Sequence, residues 1–288
     1  FNFLFCVPKF FGYKAYNHIL KQCSFGPRNP GSQGHINFKN YLVEYLKEYS
    51  DSLIVDTHEI VHPYNKDKNL ELFNILSQFN LNAEKRILLM AHWDTREIAD
   101  KDLDISNYNT PILGANDGAS GVAILMEFAS IFNDNRFKNL GIDLLFVDAE
   151  DMGRSGDLEH FSVGTKLFSK NITQDQYLVA ICLDMVADID PEFKIEYFSY
   201  LQGKEFVYEI WDLANSLGYK EFSYDITQPI YDDHRAFYEE TKIPSIDIID
   251  FDYPYWHTIE DTPNKCSSYT LEIVGTVMLE YLYKKDEE

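Results

Sequence analysis

Ile142-Asp143-Leu144-Leu145-Phe146-Val147-Asp148-Ala149-Glu150-Asp151 is the stretch on which the fold is read. Residues 142–147 are nearly all apolar, as a strand covered on both faces requires, and the run stops abruptly in acid. The same form recurs along the chain. Residues 86–91 run into His92-Trp93-Asp94, residues 177–186 are interrupted near their end by Asp184, and residues 243–249 carry Asp247. Helical patterns lie between these strands. Val122, Leu125, Met126 and Ala129 share one face of residues 118–132, residues 205–217 read as helix, and residues 268–283 form an amphipathic helix. Upstream, residues 12–49 read as two helices broken at Phe25-Gly26-Pro27-Arg28-Asn29-Pro30-Gly31-Ser32. In the second of these, Phe38, Leu42, Tyr45, Leu46 and Tyr49 share a face. Residues 53–61, 71–79 and 222–226 complete the strand set. Strands alternating with helices predict an α/β fold around a mostly parallel sheet. With no repeat and no linker, residues 1–288 read as a single domain.

Bulk composition narrows the function. A chain of 288 residues that is 45% apolar is long enough to bury a sizeable core. Its formal net charge of −22 excludes nucleic acid as a partner, because nothing would release phosphate counterions. No stretch has the length of a membrane span. Cys6, Cys23, Cys182 and Cys266 include no CxxC pair, so the thiols do not signal a metal site. Cys182 lies in an apolar run and reads as a small buried hydrophobe, and spacing alone licenses no bridge between Cys6 and Cys23. The opening Phe1-Asn2-Phe3-Leu4-Phe5-Cys6 is too short for a signal peptide and lacks the basic flank, so it reads as the start of a trimmed chain.

Chemistry concentrates where strands end. Asp117, in Gly114-Ala115-Asn116-Asp117-Gly118-Ala119-Ser120-Gly121, stands at a helix start, where it reads as a cap or as a ligand. Glu150 and Asp151 are adjacent at the end of a buried strand. They either sit in water on a surface turn or need a cation, because two desolvated carboxylates repel. Asp184 at the end of an apolar run is costly without a partner. Asp232-Asp233-His234 and Trp256-His257-Thr258, with Asp261-Thr262 beyond, supply further acids and an imidazole. His18, His35, His58, His62 and His160 read as ordinary surface or core histidines. Asp, Asp or Glu, and His make a plausible zinc set with a fourth position open. A free carboxylate beside it would act as acid and base. The residues so read predict metal-assisted chemistry on a carbonyl, with hydrolysis and cyclisation both open.

The order of these motifs resembles the zinc aminopeptidase superfamily that also contains the animal-type and bacterial glutaminyl cyclases. The matching pieces are His92-Trp93-Asp94, Asn116-Asp117-Gly118-Ala119-Ser120-Gly121, Glu150-Asp151, Leu183-Asp184-Met185, Asp233-His234 and His257-Thr258 with Asp261-Thr262. The resemblance implies a three-layer α/β/α sandwich with a mixed, mostly parallel sheet. Asp232 before Asp233-His234, and Trp256 directly before His257, look like the cyclases. That likeness implies conversion of N-terminal Gln, and slowly Glu, of peptides and proteins to pyroglutamate. It implies one zinc held by Asp117, Asp151 and His257, Glu150 as acid and base, and Asp184 and Asp232 in a carboxylate network. Trp256 and Trp93 would contact substrate. A two-zinc aminopeptidase, with His92 and Asp184 as added ligands, is the alternative. A monomer working in the periplasm or secreted is the further expectation. The sequence departs from the pattern at Asp151, one methylene shorter than the usual Glu, and in residues 154–161, which lack a tryptophan often found there.

Overall fold

The computed structural model describes residues 7–288; Phe1 to Cys6, and with them the question of a Cys6–Cys23 bridge, lie outside the described residues. Helices α1 (Gly12–Cys23) and α2 (Gln33–Lys47) precede the hairpin of β1 (Ser52–Val61) and β2 (Asn69–Phe79). Then follow β3 (Lys85–His92), α3 (Ala119–Asp134), β4 (Leu140–Val147), α4 (Val163–Ser169) and β5 (Ala180–Asp184). The chain ends with β6 (Phe193–Ile195), α5 (Tyr197–Ser216), β7 (Phe222–Ile226), α6 (Asp233–Thr241), β8 (Ser245–Ile249) and α7 (Ser268–Glu287).

The main sheet has the order β1-β2-β4-β3-β5-β8. β1, β2 and β4 pair antiparallel, and β4, β3, β5 and β8 run parallel. The four parallel strands are the apolar runs of the sequence, and their alternation builds two cores. Ile87, Leu89 and Ala91 of β3, with Ile142, Leu144 and Phe146 of β4, join the core beneath α1, α3 and α7. Leu88, Met90, Leu145 and Val147 point the other way, toward Phe168 of α4 and Phe237 of α6. Helices cover both faces, so the predicted α/β/α layering and mixed sheet are present.

The structure departs from the sequence reading in extent. α5 is broken at Gly203, whose φ of −145° and ψ of 30° are not helical. The part after the break is the helix read at residues 205–217, and a further helical segment precedes it, capped by Glu196 accepting from Phe198 N and Ser199 N. β7 pairs with β6 in a separate two-stranded sheet, and β6 is too short to leave a periodic signal. β5 stops at Asp184 because Met185 turns to a positive φ of 47°. α4 and α6 were not foreseen; both are short and carry polar residues among their apolar ones. No helix among the described residues is long and apolar enough to cross a membrane.

Candidate metal centre and active site

Parallel strands carry their carboxyl ends to one edge, so the acidic strand ends meet there. His92 closes β3, Asp148 to Asp151 follow β4, Asp184 closes β5, and the segment to His257 follows β8. Asp117 is brought in by the turn that starts α3. At Gly118 the backbone has a φ of 31°, and a Cβ there would meet His92 O at 2.5 Å, so only glycine permits that turn. The turns themselves hold costly backbone angles at non-glycine residues, Ala149 (φ 57°) and His257 (φ 55°).

Asp117, Asp151 and His257 present donor atoms that all lie within 4.8 Å of one another, and all three residues are buried. His257 Nε2 stands 3.6 Å from Asp117 Oδ2 and 3.3 Å from Asp151 Oδ1. Among the described residues, Asp117 Oδ2 and Asp151 Oδ2 are buried without a hydrogen-bond partner. Two buried carboxylates, each with one oxygen left without a partner, next to an imidazole nitrogen are what a divalent cation satisfies, so the residues fit zinc. The capping alternative for Asp117 falls away. α3 has Gly118 at its cap with no side-chain bond, and Asp117 turns toward the two imidazoles instead.

Other acids hold the ligand backbones in place. Asp94 accepts from Glu150 N at 3.0 Å and Asp151 N at 3.2 Å. Asp261 accepts from Asn116 N at 2.9 Å and Asp117 N at 3.2 Å, and Tyr253 Oη donates to it. Asp148 accepts from Phe73 N at 2.7 Å and faces the buried His35 ring at 2.8 Å. The adjacent carboxylates of the sequence therefore sit in a protein interior, not on a watery turn.

Glu150 lies beside the ligand set in the same cleft as Asp184 and Asp232. Burial pushes its carboxyl well above the usual range, and the charges of Asp151 and Asp232 add to that. Burial likewise raises Asp184 to about 7, against the pull of His92. Asp232 caps α6 without a side-chain bond and turns inward, where it shares a donor cluster with Cys182 and Asp247. His234, paired with Glu196 at 3.0 Å, closes that cluster behind the cleft, 3.4 Å from Asp247. A second group, His92, Asp117 and Asp184, also has metal-ligand spacing. His92 Nε2 lies 3.2 Å from Asp117 and 3.3 Å from Asp184, so Asp117 belongs to both groups.

The cleft is small and is walled by Phe161, Ile230, Ile249, Phe251 and Trp256. Trp256 stacks on the His257 ring at 3.9 Å and meets Phe251 at 4.9 Å. Trp93 does not belong there, which corrects the sequence expectation. It is fully buried, stacks on His35 at 4.5 Å and donates its indole N–H to Phe73 O at 3.1 Å. Its side chain leaves the strand end toward the core beneath α2, where a large ring with one satisfied donor is stable. Phe161 supplies a wall from the segment that lacks tryptophan. An isolated aromatic in a polar loop gave no sequence signal.

This layered fold, with a buried acid and histidine cluster at the carboxyl ends of its parallel strands that can hold a divalent cation, is that of a metal-dependent α/β/α enzyme. Residues 74–282 match peptidase family M28, and the chain belongs to that family. It is similar to a Bacteroides thetaiotaomicron glutaminyl cyclase solved with N-acetylhistamine, at 35% identity over 96% of this chain and 99% of that one, with a TM-score of 0.91. A structure from the same species described as a leucine aminopeptidase precursor is also 35% identical, over 96% and 98% of the two chains, with a TM-score of 0.92. A Drosophila melanogaster glutaminyl-peptide cyclotransferase is 24% identical, covering 89% of this chain and 77% of its own length.

Proposed function

We propose that this chain is a glutaminyl-peptide cyclotransferase, which closes an N-terminal glutamine of peptides and proteins into pyroglutamate and releases ammonia, and closes glutamate slowly. One observation carries the reading. A three-ligand set, the free buried carboxylate of Glu150 and the indole of Trp256 share one small cleft, in a chain that matches solved glutaminyl cyclases along nearly its whole length. Asp117, Asp151 and His257 would hold one zinc per chain, which would supply Lewis-acid polarisation of the substrate's γ-carbonyl.

The remaining work falls to the chain's own groups. The substrate's α-amine attacks its own γ-amide carbon, so the ring C–N bond forms as the bond to the amide nitrogen breaks. No enzyme nucleophile is needed. Glu150 takes the proton from the attacking amine and returns it to the departing ammonia. Asp184 and Asp232 line the same cleft as Glu150 and receive the leaving nitrogen's N–H groups; buried carboxylates that share a cleft titrate together. Trp256, Phe251 and Phe161 wall the cleft and keep the side chain folded, so that amine and carbonyl meet; orientation carries much of an intramolecular rate. A monomer acting outside the cytoplasm rests on the family resemblance alone.

The test is direct. Incubation with a Gln-Xaa peptide should release ammonia and leave a product lighter by one ammonia with its peptide bond intact. Free glutamine would instead support the two-zinc aminopeptidase, a reading favoured by the intact His92, Asp117 and Asp184 group. The pH profile gives a second check. The attacking amine must be neutral, and an α-amino group titrates near pH ~7.7–8.0. The rate at subsaturating substrate should therefore rise from pH ~6 to ~8; a flat profile there excludes amine attack as written.

A further inference from the structure

We propose that Arg96 and Asp100 form a bracket that fixes two of the three metal ligands, Asp151 and His257, relative to one another. The inference rests on the metal site proposed above.

Arg96 is 1% exposed, and the hydrogen bonds of its guanidinium all go to two residues. Nε and Nη2 donate to the two oxygens of Asp100 at 2.7 and 2.9 Å, a fork-on-fork pair. Nη1 donates to Asp151 Oδ1 at 2.8 Å and to its main-chain oxygen at 3.2 Å. The other oxygen of Asp151, Oδ2, is the one left without a partner. Arg96 thereby fixes the Asp151 carboxylate by one oxygen, the one 3.3 Å from His257 Nε2, and leaves the other free. On the far side of the fork, Asp100 Oδ1 lies 3.3 Å from His257 Nδ1, an ion-pair contact to a ring nitrogen that makes no aligned hydrogen bond, and Nε2 faces Asp117 and Asp151. A carboxylate on the remote ring nitrogen is the usual way a protein sets the tautomer and tilt of a ligating histidine. The same segment also grips the His257 backbone, since Lys101 N donates to His257 O at 3.2 Å.

Comparison with the other fully buried arginine separates positioning from plain packing. Arg28 spends its guanidinium on the main-chain oxygens of Trp93, Leu113 and Gly114, which is a fold-holding role. Arg96 spends its own on a ligand carboxylate and on the acid that orients a second ligand. Arg96 and Asp100 cancel each other's charge, so the bracket leaves two ligand carboxylates to balance a divalent ion. The guanidinium lies over the Phe161 ring at 5.5 Å, which ties the bracket to a wall of the cleft. The bracket also bears on the shorter Asp151 side chain: a carboxylate with less reach than glutamate must be held in place, and Arg96 holds it from both its side chain and its backbone.

The experiment measures zinc affinity by chelator competition on the full chain, for Arg96→Met, Arg96→Lys, Asp100→Asn and the Arg96→Met/Asp100→Asn pair. Folding of each apo protein is checked by circular dichroism. Arg96→Met and Asp100→Asn should each weaken zinc binding by ~10–100-fold. The double variant should be little worse than either single one, because both break one unit. Arg96→Lys keeps the charge but has no fork, so it should not restore native affinity. If Arg96→Met fails to fold, the near-isosteric Asp100→Asn carries the test. Native zinc affinity in the folded variants, or full rescue by lysine, overturns the bracket alone. A native chain that binds no zinc overturns the metal reading and the bracket together.

Discussion

Glu150→Gln should keep its zinc and lose cyclase turnover by ~10²–10⁴-fold, the range of general acid–base catalysis. The substitution preserves the shape of the side chain, and Glu150 lies outside the ligand group of Asp117, Asp151 and His257. Its backbone N–H remains bound to Asp94, so the turn that presents Asp151 is undisturbed. What disappears is the only function an amide cannot perform here, accepting the amine proton and passing it to the leaving nitrogen. Zinc content by atomic emission and turnover by ammonia release separate the two effects. Retained zinc with retained turnover would remove Glu150 from the mechanism.

His257→Ala and His92→Ala should part company. Loss of His257 removes one of the three proposed ligands and leaves Asp117 and Asp151 as two buried carboxylates with no imidazole between them, so the chain should emerge from dialysis without zinc and without activity. In a one-zinc enzyme His92 is a neighbour of Asp117 and Asp184, not a ligand, so His92→Ala should still hold one zinc per chain. In a two-zinc aminopeptidase, the same substitution would take the native stoichiometry from two to one. Metal analysis of native protein and both variants therefore decides between the readings without a substrate. A His257→Ala protein that keeps full zinc would overturn the ligand set.

The sequence disclosed this site unevenly, and the pattern has a physical cause. Glu150, Asp151 and Asp184 were legible because each ends or follows an apolar run, where an acid is expensive unless it is used, whereas Asp117, Asp232 and His257 stand in polar or aromatic loops and were read from the order of their motifs. Arg96 and Asp100 were hidden, because an Arg and an Asp four apart in a polar stretch look like an ordinary surface pair. Only the packing of that loop against His257 and Asp151 buries them. Trp93 misled for the converse reason. It adjoins His92 in the chain, but successive residues at a strand end point to opposite faces, so a neighbour in sequence left the site for the core.

By itself the sequence determined the layers and the edge where chemistry gathers, because strand periodicity, helix faces and acids at strand ends are local properties of short segments. The tertiary structure alone decided which acid faces which. The order β4-β3-β5-β8 sets Glu150 and Asp151, His92, Asp184 and the His257 segment side by side, although the segments lie far apart in the chain. That order comes from long-range strand pairing, and no residue pattern within one segment encodes its neighbour across the sheet.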